Sequence, residues 1–295
     1  MASLRVLARP VSLMGNGERV VVKGVSRRQF LAGAVGFTAQ VALVAAGSRA
    51  FATTAPPRVP VTTVPPFIDH KAMSPLRVPS ASGTLPPFIR SGPSTLPLVG
   101  LTVDDMFGAS GADNVAVLLD IAKQKSVKFT FFPTGGALAD HLAAGRQGVW
   151  RRVIDEGHEI GNHSYTHANF TKLSDQQIRD ELNRTQDELN KVLGFAYPMR
   201  MMRPPGGAGG FTNGGDPRIM KVIGTLGYSM VMWGIDSNGT AGNASYTTKI
   251  LANARNGSIV LAHFTTYAVG NYPALIDGLR ARKLEPTNVS GLFSP

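Results

Sequence analysis

Cysteine is absent from the 295 residues of this chain. The absence excludes disulfides, a thiol nucleophile, a thiolate metal site and a lipid-modified cysteine behind a leader segment. Any metal ion that the chain binds must therefore be held by nitrogen and oxygen ligands.

A strong charge is also lacking once the N-terminal segment is set aside. The net charge is +11, but residues 1–52 contain seven Lys or Arg and one Glu, which leaves about +5 for the remainder. No Arg-rich helix and no alternation of basic and aromatic residues is found. We therefore expect no nucleic-acid partner, whereas a polyanionic surface such as a cell wall would suit the mild positive charge.

The apolar run at residues 30–46 is short and only weakly hydrophobic for a membrane span. It follows the pair Arg27 and Arg28, and residues 50–52 (Ala-Phe-Ala) form a small-x-small cleavage sequence. The pattern over residues 1–52 resembles a twin-arginine (Tat) signal peptide, which implies export of the folded protein and no permanent membrane span after cleavage. The alternative is an N-terminal membrane anchor.

Proline is concentrated in one segment, because eleven of the 20 prolines lie between residues 53 and 97. Proline fixes φ and removes a backbone donor, so we expect an extended, polyproline-like linker over residues 53–95. The tetrad Pro-Pro-Phe-Ile occurs at residues 65–68 and again at 86–89, and we interpret it as packing of the linker. The catalytic domain is predicted to span residues 96–295.

From residue 96 onward, apolar strands alternate with helical patterns. This order predicts a parallel sheet, either open or closed into a barrel. Ser174 and Gln177 form a capping box at the start of the longest helix, which should end at Gly194. The predicted strands are 98–103, 128–132, 158–163, 199–203, 229–235 and 258–263; the predicted helices are 114–124, a stretch ending near Glu156, 175–193, 217–226, 246–254 and 272–283.

Polar residues follow several of these strands, at the sheet edge where α/β folds place their active sites. They are Asp104, Asp105, His163, Arg203, Asp236 and His263. His163 and His167, four residues apart, can bind one metal ion from one side. An Asp pair with three His is a residue set for metal-assisted hydrolysis. Taken singly, the Asp pair could be a loop turn, Arg203 a surface ion pair, His263 a core histidine and Asp236 a turn cap. His141 and His158 are interpreted as structural.

These residues, in this order, resemble the polysaccharide deacetylase family, also called the NodB-homology or carbohydrate esterase family 4 domain, over residues 96–284. The family's Thr-Phe-Asp-Asp-Gly motif appears at residues 102–106, with Met106 in place of Gly. The resemblance implies that Asp104 is the general base and Asp105 a metal ligand. It also implies that His163 and His167 are the other two ligands.

Two further motifs are altered and one is intact. Residues 203–207 match Arg-x-Pro-Tyr/Phe-Gly without the aromatic residue; the resemblance implies that Arg203 orients Asp104 and that the Gly206 N–H stabilises an oxyanion. Asp236 keeps the first position of Asp-x-x-Asp-Trp, whereas Gly239 and Thr240 replace the second Asp and the Trp, and Trp233 lies nearby. Leu261-Ala262-His263 matches Leu-x-His, which implies a general acid at His263 and a substrate contact at Leu261.

The resemblance implies a distorted (β/α) barrel that binds a divalent cation, with zinc the first choice and cobalt or manganese as alternatives. Asp236 would keep His263 protonated. Adjacent strand residues face opposite sides, so Asp104 and Asp105 can share one site only if the backbone twists at the strand end. We expect a secreted or wall-associated N-deacetylase of N-acetylglucosamine polymers, either peptidoglycan or chitin-like. The alternatives are an O-acetyl (xylan) esterase of the same fold and a non-catalytic wall carbohydrate-binding protein.

Overall fold

The structure is a computed structural model, and it describes residues 12–15, 18–21, 85–237, 243–264 and 269–293. The chain divides into two compact units, Met1–Thr63 and Val64–Pro295. In the first unit, β1 (Ser12–Gly15) and β2 (Glu18–Val21) pair antiparallel. The twin-arginine pair, its apolar run and most of the predicted linker lie outside the described residues.

The described residues of the second unit contain two sheets, and every strand pairing among them is parallel. Its strands are β3 (Phe88–Ile89), β4 (Leu98–Asp105), β5 (Thr130–Pro133), β6 (Glu159–Ile160), β7 (Met201–Met202), β8 (Ser229–Val231), β9 (Ile235–Asp236), β10 (Ile259–His263) and β11 (Glu285–Thr287). The larger sheet has the order β6-β5-β4-β10-β9, with β11 also paired to β4. The smaller sheet has the order β3-β8-β7.

The two sheets follow each other around a distorted barrel. A single parallel bridge between Asn162 and Met202 joins the end of β6 to β7. On the other side, the chain itself runs from β8 to β9 through residues 232–234. The predicted α/β fold with parallel strands is therefore confirmed.

Helices connect the strands and cover the outside of the sheets. They are α1 (Gly108–Lys125), α2 (Gly135–Ala143), α3 (Gly148–Asp155), α4 (Asp175–Leu193), α5 (Pro217–Thr225), α6 (Asn243–Asn253) and α7 (Tyr272–Ala281). The predicted capping box of α4 is present, because the Ser174 hydroxyl accepts from the Gln177 N–H and the Gln177 side chain accepts from the Ser174 N–H. Gly194 ends the helix with φ 75°, which a residue without Cβ adopts without strain.

The predicted elements differ from the structure at several points. The helical stretch ending near Glu156 is two helices, α2 and α3. The apolar run 229–235 is divided between β8 and β9. The folded region begins before residue 96, since β3 pairs with β8 and the Gly92 N–H donates to the Gly257 carbonyl.

The core lies between the sheets and the helices, around fully buried side chains such as Phe131, Trp150 and Leu182. At the opposite end of the strands from the polar residues, Leu292 packs so closely on Gly100 that a Cβ there would lie 3.0 Å from its Cδ1. One end of the barrel is thereby filled with apolar side chains, and the carboxyl ends of the strands remain for polar ones. The described helices include none with the length and hydropathy that a membrane span requires.

Candidate active site

The carboxylates of Asp104 and Asp105 reach the same site, although they are neighbours at the end of β4. Asp105 has φ 77°, in the left-handed region that non-glycine residues rarely adopt, and this twist reverses the usual alternation of side chains. Asp104 Oδ2 lies 3.7 Å and Asp105 Oδ1 3.3 Å from Nε2 of His163. The backbone twist that Asp104 and Asp105 need in order to share one site is therefore present.

The loop from His163 to His167 is held by hydrogen bonds to buried and half-buried groups. The Ser164 N–H donates to Asn162 Oδ1, and the His167 N–H donates to the Ser164 hydroxyl. Glu181, on α4, accepts hydrogen bonds from the N–H groups of residues 165 and 166 and from a threonine hydroxyl. The loop therefore presents both imidazoles in fixed positions.

Asp105, His163 and His167 form a possible metal site. One ligand atom from each residue lies within 4.8 Å of the others. His163 Nδ1 donates to the Arg203 carbonyl at 2.8 Å, which leaves the Nε2 lone pair directed at Asp105. Asp105 Oδ1 is buried without a well-aligned hydrogen-bond donor. A carboxylate oxygen and two imidazole nitrogens that converge in this way suit a divalent cation.

The electrostatics of this cluster favour a positive charge between its members. Burial alone would raise the pKa of Asp105, but the adjacent imidazoles of His163 and His167 hold that pKa below its ordinary value. Burial would lower the pKa of His163, but the Asp104 and Asp105 carboxylates raise it above its ordinary value. Without a cation the cluster therefore favours a proton on the imidazole, and a divalent cation would take the place of that proton.

Asp104 forms a buried ion pair with Arg203. The guanidinium donates to Asp104 Oδ1 at 2.6 Å and to the Thr102 hydroxyl at 2.8 Å, and both charged side chains are at most 2% exposed. Arg203 also donates to the carbonyls of Val231 and Met232. Burial lowers the pKa of Arg203 and Asp104 raises it. With four acceptors around it, the guanidinium fixes one oxygen of Asp104 and leaves the other towards His163.

His263 completes the cluster from β10. It is in register with Asp104, and its Nε2 lies 3.7 Å from Asp105 Oδ2. Leu261, two residues earlier and so on the same face of the strand, is buried and in register with Asp236 of β9. The charge of the Asp236 carboxylate also acts on Arg203, where it raises the pKa.

Gly206 and Trp233 lie around Arg203. Gly206 is exposed in a short 3₁₀ turn after Arg203, with φ 58°. The Trp233 ring centre is 5.5 Å from the Arg203 guanidinium carbon, and its ring meets that of the exposed Phe211 edge-on at 5.7 Å. Gly239 and Thr240, at the altered motif positions, lie outside the described residues.

Several residues of the site carry no signal in the sequence. Glu181 acts through three hydrogen bonds that it accepts from the histidine loop. A cleft of about 170 Å³ opens beside Asp104 and Asp105, with Phe107 and Phe264 among its walls. These contacts depend on which strand ends and helices meet, and no local pattern predicts that.

Comparison with known proteins shows which family the region of this site resembles. The family model described as polysaccharide deacetylase matches residues 91–231. Residues 91–231 therefore belong to a polysaccharide deacetylase domain. The match contains the Asp pair, both histidines of the possible metal site and Arg203; Trp233, Asp236, Leu261 and His263 follow its end. The predicted resemblance to this family is thereby confirmed.

Two curated relatives and one solved structure show the range of this family. The deacetylase domain is 30% identical over 177 residues to a peptidoglycan-N-acetylglucosamine deacetylase of Bacillus cereus. It is 32% identical over 167 residues to the peptidoglycan-N-acetylmuramic acid deacetylase PdaA of Bacillus subtilis. These alignments cover 59% and 55% of this chain, and the chain spans 58% of the length of each relative.

The solved structure is a mutant, with restored enzymatic activity, of a carbohydrate esterase family 4 pseudoenzyme from Bacillus anthracis. It superposes with a TM-score of 0.60 at 26% identity, over 70% of this chain and 71% of that chain. The family fold therefore occurs both with and without activity, and the residues of the site must be considered one by one.

Proposed function

We propose that this protein is a metal-dependent hydrolase that removes N-acetyl groups from N-acetylglucosamine units of a polymer, with peptidoglycan as the leading substrate. The observation that carries the proposal is the arrangement of Asp104 between a buried Arg203 and the cluster of Asp105, His163 and His167. This arrangement places the base next to a possible cation site, and His263, the proposed acid, lies on the other side of Asp105.

Asp104 acts as the general base. Its Oδ1 is held by Arg203, while Oδ2 faces the histidine cluster and accepts a proton from the attacking water. The water oxygen bonds to the acetyl carbon as this proton leaves. Arg203 keeps the carboxylate oriented, because its guanidinium donates to Oδ1 at 2.6 Å.

His263 acts as the general acid. It lies on the Asp105 Oδ2 side of the cluster, away from the contacts of His163 and His167 with Oδ1. In protonated form it gives its proton to the departing nitrogen as the carbon–nitrogen bond breaks, so that acetate and a free sugar amine are the products. The Gly206 N–H is proposed to stabilise the oxyanion, and Asp236 to support the protonated form of His263.

Asp105, His163 and His167 would hold the cation, for which zinc, cobalt and manganese suit the ligands. A cation there supplies polarisation of the acetyl carbonyl and a lower pKa for the attacking water.

The choice of peptidoglycan is supported by the two relatives described above, which are peptidoglycan deacetylases. It agrees with a chain whose net charge outside residues 1–52 is mildly positive, at about +5. Export by the twin-arginine route is part of the proposal, since Arg27 and Arg28 precede a weakly apolar run. Replacing both by Lys should keep the protein inside the cell, and unchanged secretion would exclude this route.

The test is acetate release by the purified full chain from N-acetylglucosamine oligomers, peptidoglycan and acetylxylan, each with and without a chelator. We expect release from the first two that a chelator abolishes and that added zinc or cobalt restores. Release from acetylxylan alone would favour the O-acetyl esterase. No release from any substrate, with stoichiometric metal bound, would indicate a non-catalytic protein with the same fold.

A further inference from the structure

The segment that follows the Asp pair presents an exposed aromatic ring on a buried support. Phe107 is 46% exposed, yet the carbonyls on both sides of it, those of Met106 and Gly108, accept from Nε2 of His141 at 3.0 and 2.9 Å. His141 is fully buried. The backbone that carries Phe107 is therefore fixed from inside the domain.

The protonation of His141 is determined by its other neighbour. Trp150 Nε1, which can only donate, gives a hydrogen bond of 3.0 Å to His141 Nδ1. Nδ1 is thus an acceptor, and the single ring proton is on Nε2, where both carbonyls receive it. The two rings also stack, with centres 5.8 Å apart. The fully buried side chains of His141 and Trp150 thereby fix the backbone position of the exposed Phe107.

A single exposed hydrophobic side chain is common on protein surfaces and needs no function. Phe107 differs because its side chain lines the cleft beside the Asp pair. It forms the cleft of about 170 Å³ together with Asp104, Asp105 and Phe264, and its ring meets that of His167 edge-on at 5.7 Å. The exposed ring thus borders both the base and a metal ligand.

The cleft combines apolar and polar walls. Phe107 and Phe264 provide aromatic surface, and Ser110 and Asn114 from the first turns of α1 provide a hydroxyl and an amide. A pyranose ring has one apolar C–H face and a rim of hydroxyls, so it matches such a surface. The volume is below the roughly 300–1,000 Å³ of drug-sized ligand pockets, which suits one sugar unit of a longer chain.

We propose that Phe107, Phe264, Ser110 and Asn114 form a subsite for the sugar next to the one that is deacetylated, and that the Trp150–His141 pair positions it. The inference rests on the proposed function. It adds that the polymer lies along the start of α1. A ring that is already fixed loses little conformational entropy when a sugar packs on it, which favours binding.

The test measures binding of the N-acetylglucosamine tetramer and of the monosaccharide by calorimetry, in the full chain with Asp104→Asn to prevent turnover. Phe107→Ala should weaken binding of the tetramer about tenfold, the effect of losing roughly 50–60 Å² of buried apolar surface, with little change for the monosaccharide. Phe107→Trp should bind within about twofold of the parent. Val117→Ala is the matched control, since Val117 is 45% exposed on α1 and lies outside the cleft walls.

The possible outcomes distinguish a failure of the proposed subsite from a failure of the proposed deacetylase function. Equal tetramer binding by Phe107→Ala and Val117→Ala would overturn the subsite and leave the deacetylase proposal intact. A loss of bound metal in Phe107→Ala would also overturn it, because Phe107 would then act by supporting His167. If the Asp104→Asn chain binds no oligomer and the native chain deacetylates none, the proposed function fails and the subsite fails with it.

Discussion

Arg203→Met should strongly destabilise the domain, because it leaves the Asp104 carboxylate buried without its partner. Both side chains are at most 2% exposed. Removing one member of a buried ion pair costs about 3–5 kcal/mol, a large share of the roughly 5–15 kcal/mol that holds a domain folded. The Thr102 hydroxyl and the carbonyls of Val231 and Met232 would lose a donor as well.

The matched control is Arg280→Met. Arg280 forms a comparable ion pair with Glu285 at 2.6 Å, but these side chains are 34% and 51% exposed. An exposed pair contributes about 0–1 kcal/mol. In urea unfolding, a loss of about 4 kcal/mol with a slope of about 2–3 kcal/mol/M moves the midpoint by roughly 1.3–2 M. The control should move it by less than about 0.5 M.

The double variant Arg203→Met, Asp104→Asn tests the cause. If the stranded carboxylate is responsible, removing its charge should recover at least about 1–2 kcal/mol relative to Arg203→Met alone. Two results would refute the reasoning: a midpoint shift for Arg203→Met no larger than that for Arg280→Met, or single-variant losses that simply add in the double variant.

Asp104→Asn should keep stoichiometric metal and lower turnover by about 10²–10⁴-fold, whereas His163→Ala should lose both the metal and turnover. Metal analysis together with acetate release measures this. Normal turnover of Asp104→Asn would exclude Asp104 as the base. Burial lowers the pKa of His158 from 6.5 to about 4. Between those pH values the unfolded chain therefore binds a proton that the folded chain excludes, and the free energy of unfolding should fall by roughly 2–3 kcal/mol as the pH drops from 7 to 4. His158→Gln should lack this part of the decline in urea unfolding at the two pH values, and an identical decline would assign it to other groups. Ser174→Ala should cost about 1 kcal/mol, since it removes the capping box of α4; a thermal midpoint unchanged from that of the native chain would contradict this.

The features predicted well from the sequence are those that depend on nearby residues. Helix α4 has the predicted bounds, because Ser174 with Gln177 and Gly194 satisfy its end groups with side chains and conformations available in the sequence itself. The strand that ends in Asp104 and Asp105 was also placed correctly, since its apolar run is continuous and buried.

The features missed depend on partners far along the chain. The run 229–235 is mostly apolar, yet the Met232 N–H donates to the Ile89 carbonyl in the smaller sheet and the Gly234 N–H to the Ile259 carbonyl in the larger one. The backbone changes sheet there, which side-chain periodicity does not record. β3 was assigned to the linker because Pro86 and Pro87 precede it. It lies at the edge of its sheet, where the Pro87 carbonyl accepts from Met230 and no proline N–H is needed.

The metal-site residues and Arg203 were named from motifs, but their mutual geometry was not predictable. That Asp104 and Asp105 face one site depends on the φ of Asp105, and an Asp-Asp pair in a sequence is equally compatible with opposite faces. His141 was interpreted as structural, and its contacts are consistent with that, although what it supports is the segment beside the site.

Backbone strain is concentrated at the proposed site. Of the six non-glycine residues with positive φ in the described part of the chain, four belong to it: Asp105, Met106, Ser164 and His167. Each such residue costs about 1–3 kcal/mol, and it persists only where the surroundings hold it in place. Here His141 holds the Met106 segment, and Glu181 with Asn162 holds the histidine loop. A protein that only kept the fold could replace these residues by glycine or relax the loops at no cost to its core. That the strain and its supports remain together, around intact Asp, His and Arg side chains, is the structural argument for an active enzyme over a scaffold that has lost its chemistry.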